Sequence, residues 1–192
     1  METLDIIDEQ GNPTGQTIDR SIAHRIGILH RTAHVWLFRI KNGRVQVLLQ
    51  KRSKNKDSYP GCYDISSAGH IPAGVDFITS ALRELKEELG LTVDVSELIY
   101  CGRRRIQYKE EFYGVPFVDN QISNVYMIFK DIETSMLLLQ EEEVEEVIWM
   151  DFNQCLRAVA ENTMPHCIMQ EELDILQRAL EQQGISWRTG SR

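Results

Sequence analysis

Residues 69–91, GHIPAGVDFITSALRELKEELGL, decide how the rest of the chain is read. Leu82, Leu85 and Leu89 recur at the three-and-four spacing of an apolar helical stripe, and Glu84, Glu87 and Glu88 recur at the same spacing on an adjoining stripe. Asp76 is placed to cap the start of this helix, and Gly90 to supply the left-handed residue that ends it. Such a helix packs one face and gathers three carboxylates on the next. Like charges repel, so the cluster calls for a hard divalent cation, Mg2+ or Mn2+, which takes oxygen ligands and commonly bridges to a substrate phosphate. The alternative is a solvated acidic face, which most Glu-rich helix stripes are.

The 192 residues are 42% hydrophobic with a net charge of −8, the composition of about one globular domain with a real core. We read residues 1–192 as a single domain: a hairpin and lead-in over 1–28, a core over 29–183 and a frayed tail over 184–192. The negative balance argues against a nucleic-acid polymer or an anionic membrane as partner, because no overall positive field holds phosphate polymers. Cys62, Cys101, Cys155 and Cys167 lack metal-binding or redox spacing and are too few for a disulfide scaffold, so reduced thiols and a cytoplasmic location are expected. The acidic start METLDIIDEQ does not read as a signal peptide, and no run approaches membrane-spanning length.

Along the chain, Leu4–Asp8 and Thr14–Ile18 flank a cluster of turn residues and read as a hairpin. Ala33–Ile40 and Arg44–Gln50 read as strands around the turn Asn42-Gly43. His24, His30 and His34 invite a metal reading, against which His34 packs within its strand and the others face water. In the basic loop 51–57, Arg52 is the residue placed to bind phosphate or brace a carboxylate. Cys62–Ala68 and Leu98–Gly102 read as strands, Glu110–Val118 as irregular or edge structure, and Ile122–Lys130 as a strong strand. Among Arg103, Arg104 and Arg105, strand alternation lets at most two serve one pocket, and Arg104 is taken as the phosphate contact. After the acidic LLLQEEEVEEVIWM, which closes in a strand, 151–161 and 170–183 read as helices.

With these residues in place, the 69–91 stretch resembles the Nudix box: Gly, five residues, Glu, seven residues, then Arg-Glu-U-x-Glu-Glu-x-Gly-U, with U aliphatic. Gly69, Arg83, Glu84, Leu85, Glu87, Glu88, Gly90 and Leu91 fall in register, while the isolated Glu of the pattern falls on Val75, with Asp76 next in line. The resemblance implies a Nudix fold, an α/β/α arrangement with a mixed β-sheet sandwiched between helices and an N-terminal β-hairpin. It further implies that Glu84, Glu87 and Glu88 hold Mg2+ or Mn2+, that Arg83 braces them, and that Ala68 or Gly69 adds a main-chain carbonyl ligand.

HRTAHVWLF (30–38), QKRSKNKDSYPG (50–61), DISSAGH (64–70) and LQEEEV (139–144) are similar to the Nudix subgroup related to type 1 isopentenyl-diphosphate isomerase. His30 and His70 match two of that enzyme's metal-binding histidines, and His24 lies one residue out of register with a third. The isomerase's Cys position is Ala68 here and its essential Glu falls near Gln121, neither of which moves protons. The expectation is therefore a pyrophosphohydrolase acting on a small organic or nucleoside diphosphate. Glu143 is the candidate general base, since many relatives use a Glu outside the box. The alternatives are an isomerase-like enzyme and a catalytically weak binding module. Tyr59, Tyr108, Phe112 and Tyr113 are free either to stack a nucleobase or to pack. A homodimer is a state that relatives commonly adopt.

Overall fold

The computed structural model describes residues 2–187. At its centre lies β3 (His30–Lys41), buried continuously from His30 to Arg39, as a strand covered on both faces must be. Alternation sends Ala33, Val35 and Leu37 to one face, and Trp36 and Phe38 to the other. The chain turns through Asn42 (φ 53) and Gly43 (φ 71), both left-handed as a two-residue hairpin turn requires, into β4 (Arg44–Arg52). On the opposite flank of β3 runs β8 (Val115–Phe129), parallel in register from His30↔Gln121 to Phe38↔Phe129.

Short strands β5 (Tyr63–Asp64) and β6 (Ser67–His70), the outer strand β7 (Ile99–Phe112) and β9 (Val144–Asp151) complete a mixed seven-stranded sheet. β6 pairs with the first half of β3, Thr32↔His70 to Val35↔Ser67, and β4 pairs with the second half. One side of the sheet is covered by α2 (Phe77–Leu89) through Ala81, Leu85 and Leu89, and the other by α3 (Phe152–Ala160) and α4 (Gln170–Gln182). The expected sandwich of helices about a mixed sheet is therefore found. The N-terminal hairpin is also present, as β1 (Thr3–Ile7) paired antiparallel with β2 (Pro13–Asp19). No helix among the described residues is long and apolar enough to cross a membrane.

Four expectations are corrected. Residues 20–26 form a helix, α1 (Arg20–Ile26), capped by Asp19 and closed by Gly27 at φ 74, where only a lead-in was expected. The segment read as strand, irregular edge and strand is one long hairpin, β7–β8, paired from Ile99↔Met127 to Phe112↔Val115 with one register shift between Tyr100 and Gly102. The strand expected over 62–68 is broken into β5 and β6. Finally, the start of the supposed frayed tail is packed: Ile185 lies against the α3–α4 core, Trp187 is 5% exposed within it, and the Trp187 carbonyl accepts a hydrogen bond from Asn153. Residues 188–192 lie outside the described residues.

α4 brings one carboxylate into the interior. Glu172, 2% exposed, accepts hydrogen bonds from Trp36 Nε1 (2.8 Å) and Arg104 Nη1 (2.9 Å), and lies 2.9 Å from His34 Nδ1. Burial pushes its pKa up, but His34, the indole N–H and Arg104 outweigh burial and hold it at about 2. The carboxylate thus ties α4 to β3 and β7 at once. Replacing Glu172 by Ala orphans three partners and should lower stability by about 3–5 kcal/mol in urea melts at neutral pH. Because the folded pKa lies below the ordinary 4.5, the wild-type contribution is present above that value and lost as pH falls toward 2. The variant's stability should be flatter across that window.

Candidate active site

The site grows from the two ends and two faces of α2. Asp76 accepts from Thr79 N (2.9 Å) at the N-cap, and Gly90 at φ 66 closes the helix onto the Leu85 and Lys86 carbonyls. With Leu85 and Leu89 fully buried, the neighbouring stripe is pressed onto β6. There Glu88 Oε2 accepts from Ala68 N at 3.2 Å, and Glu84 approaches Gly69 so closely that a Cβ on Gly69 would lie 2.0 Å from the Glu84 carboxyl. Arg83 spans Glu84 Oε1 (2.5 Å), Glu87 Oε2 (2.9 Å) and the His70 carbonyl (3.1 Å).

Burial pushes Glu84 up to about 7 against the opposing Arg83 charge, with Glu87 adding to the rise, and burial followed by the Glu84 charge pushes Glu88 up to about 8. A buried and a partly buried carboxylate that resist ionising side by side are a donor set that suits a hard divalent cation. Glu87 is half exposed at the rim. Val75, at the box position of the isolated Glu, packs against the α2-side core, while its carbonyl accepts from Arg31. Asp76 does not replace the missing carboxylate, because its side chain is spent on the helix cap.

Glu143 sits in the turn before β9, and the two loops that flank the box meet there: Ser53 N donates to the Glu143 carbonyl (2.9 Å), and Lys56 Nζ pairs with the Glu143 carboxylate. The Glu143 charge also reaches Glu84. Beyond β6 lies a cavity of about 170 Å³ bordered by Arg20, Arg52, Lys56 and Arg104. All four cations are already engaged: Arg52 by Asp64 (2.9 Å) and the Ser58 carbonyl (3.0 Å), Arg104 by Glu172, Lys56 by Glu143, and Arg20 by Glu2 at 3.7 Å. Tyr59, Tyr108 and Phe117 form its aromatic side.

The histidines depart most from expectation. His24 and His30 are buried rather than facing water, and with His70 they offer ring nitrogens all within 4.8 Å of one another. His24 Nε2 lies 2.9 Å from His70 Nε2. His30 Nδ1 bonds the Ile28 carbonyl (2.8 Å), leaving Nε2 buried with no hydrogen-bond partner among the described residues. Burial pushes all three pKa values down, that of His24 to about 3, so the rings are neutral and fit to ligate a metal. Asp119 joins them with Oδ1 3.7 Å from His24 Nδ1, and burial pushes its pKa up to about 6. Sequence reasoning passed over Asp119 and α1. The signals for α1 were Asp19 and Gly27, a cap and a stop around SIAHRI.

The NUDIX domain family matches residues 29–170. Nudix hydrolase 3 of Arabidopsis thaliana is 38% identical over 157 residues, covering 80% of this chain; the chain spans 20% of that protein's length. The isopentenyl-diphosphate Delta-isomerase of Escherichia coli is 31% identical over 160 residues, covering 82% of this chain and 81% of the enzyme. A crystal structure from Deinococcus radiodurans superposes with a TM-score of 0.65 at 18% identity, covering 92% of this chain and 98% of that one, a likeness of fold. With the family match extending from the start of β3 to the start of α4, and the box carboxylates seated against β6, the chain belongs to the Nudix hydrolase family.

Proposed function

We propose that the chain is a divalent-metal-dependent hydrolase that cleaves the anhydride of a small organic or nucleoside diphosphate by attack of water on phosphorus. The observation that carries this reading is the pair Glu84 and Glu88, the first partly buried and the second buried, against the backbone of Ala68 and Gly69. Glu84, Glu87, Glu88 and the Ala68 carbonyl would hold Mg2+ or Mn2+, and the ion would supply a Lewis acid that activates water and offsets phosphate charge. Arg83 fixes the carboxylates from outside. Arg52 and Arg104, already oriented by Asp64 and Glu172, present their remaining N–H groups to phosphate oxygens, at no further cost in side-chain ordering. Glu143 takes the proton from water.

The isomerase-like reading is favoured by one observation, the convergence of His24, His30 and His70. Two others weigh against it. Ala68 has no proton to exchange, and the Gln121 side chain is an amide whose Nε2 donates to Asp119 (2.9 Å). A binding module without turnover is the remaining alternative, weighed on the absence of the box Glu at Val75. Free thiols at all four cysteines suit a reducing compartment such as the cytoplasm.

Assaying nucleotide sugars, nucleoside di- and triphosphates, dinucleotides and isoprenoid diphosphates with Mg2+ or Mn2+ should reveal phosphate release after phosphatase coupling; a silent panel would return the protein to the binding-module reading. Calorimetry of Glu87→Gln/Glu88→Gln should show weakened Mn2+ binding with the fold intact, and Gly69→Ala should weaken it too by displacing the Glu84 carboxyl. Unchanged affinity in the double substitution would remove the box from the metal site. Glu143→Gln should slow the chemical step by ~100-fold or more, while Glu142→Gln should do little; equal small effects would reject Glu143 as the base. Incubation with isopentenyl diphosphate and metal should yield no dimethylallyl diphosphate above the no-enzyme control.

A further inference from the structure

The N-terminal hairpin forms a two-stranded sheet of its own, and a lone pair of strands is marginal in water unless it packs on something. It packs on the loop that joins β6 to α2. Leu4, fully buried, bridges antiparallel to Pro72, and Ala73 N donates to the Thr3 carbonyl (2.8 Å). A third contact is of a different kind. Asp5, 7% exposed, accepts with one and the same oxygen, Oδ2, from Arg31 Nη2 (2.8 Å) and from Gly74 N (2.9 Å).

Arg31 stands on β3 next to His30 and is itself buried. The Nη2 that meets Asp5 also donates to the Val75 carbonyl (2.9 Å), and the guanidinium lies over the Phe77 ring, 5.4 Å from its centroid. Val75 and Phe77 flank Asp76, the cap of α2. One carboxylate from the hairpin therefore reaches the start of the helix twice, at Gly74 directly and at Val75 and Phe77 through Arg31. Position 75 is where the box pattern has its isolated Glu, so the acid absent from the loop's own sequence reaches the same loop from residue 5. A buried ion pair adds little stability over an apolar pair of similar volume, so seating the hairpin does not by itself call for Asp5. Fixing where a helix begins does, because charge-assisted hydrogen bonds are short and geometrically specific.

We infer that Asp5 is a positioning residue for the box metal site: acting through Arg31 and Gly74, it fixes the start of α2 so that Glu84 and Glu88 meet the backbone of β6. The hairpin is then a working part of the site. This rests on the metal reading above and adds to it a residue far ahead of the box in sequence.

Calorimetric titration of the full chain with Mn2+ alone, well below the melting temperature of every variant, tests the role without relying on turnover. Asp5→Asn keeps the size of the side chain and removes its charge. It should weaken Mn2+ binding by about tenfold or more, as loss of a group that orients metal ligands commonly does, and should alter the electron paramagnetic resonance spectrum of the bound ion. Ile7→Ala loosens the same hairpin from its packing on Leu29 and Ile122, and should lower the melting temperature while leaving Mn2+ affinity unchanged. Arg31→Gln should match the loss in Asp5→Asn, and the two changes combined should lose no more than either alone, as expected of residues that act as one unit. Wild-type affinity in Asp5→Asn, an equal loss in Ile7→Ala, or additive losses in the combined variant would each overturn the assignment. In the same titration Glu87→Gln/Glu88→Gln should lose Mn2+ binding. Affinity retained there removes the box reading and the inference with it, whereas affinity lost there and kept in Asp5→Asn removes the role of Asp5 alone.

Discussion

The close approach of α2 to β6 at Gly69 is the constraint on which the site depends. Any side chain at 69 would enter the space of the Glu84 carboxyl, so the helix carboxylates reach the strand backbone only because this residue has no Cβ. What holds them there is the other face of the helix. Ala81, Leu85 and Leu89 are fully buried against Ala33, Val35 and Leu37 of β3, and each large aliphatic side chain contributes about 1.5–3 kcal/mol on burial. The apolar stripe therefore offsets the cost of pressing Glu84 and Glu88 together, and the repulsion that remains favours a cation.

β3 contributes to two buried polar clusters, one at its first residue, His30, and one at its middle, His34 and Trp36, and the two differ in how fully they are satisfied. Around Glu172, the carboxylate is matched by His34, Trp36 and Arg104, so the cluster is saturated and works as a tie between layers. Around His30, ring and carboxylate atoms of His24, His30 and Asp119 are buried without hydrogen bonds among the described residues. Native interiors rarely leave such atoms unpaired, and neutral imidazoles beside a carboxylate are metal-ligand chemistry. The two clusters have similar residues, and they differ in their unpaired atoms, which only the histidine cluster carries.

Much of the frame was legible because it is written in local patterns. The ends of α2, the Asn42-Gly43 turn, the apolar run at 35–38 of β3 and the helices at 152–160 and 170–182 each follow from spacing or from a single capping residue. The misses have equally physical causes. Gly and Tyr residues at 113–114 were read as irregular structure, although they form the tight turn of a long hairpin. In α1, one histidine and two arginines masked a short helix whose signals lay only at its caps. The stretch 184–187 was read as the start of a frayed tail because its burial rests on Ile185 and on one indole, Trp187.

By itself the sequence determined the helix that carries Glu84, Glu87 and Glu88, the face on which they stand and the register that marks the family, because these depend on periodicity within a few turns of chain. Only the tertiary structure decided which other groups join them. His24 meets His70 across 46 residues, and His34 meets Glu172 across 138; Asp119 reaches the histidines only because β8 pairs in parallel with β3. Such meetings are fixed by strand register and helix packing between distant segments, and no local pattern encodes them.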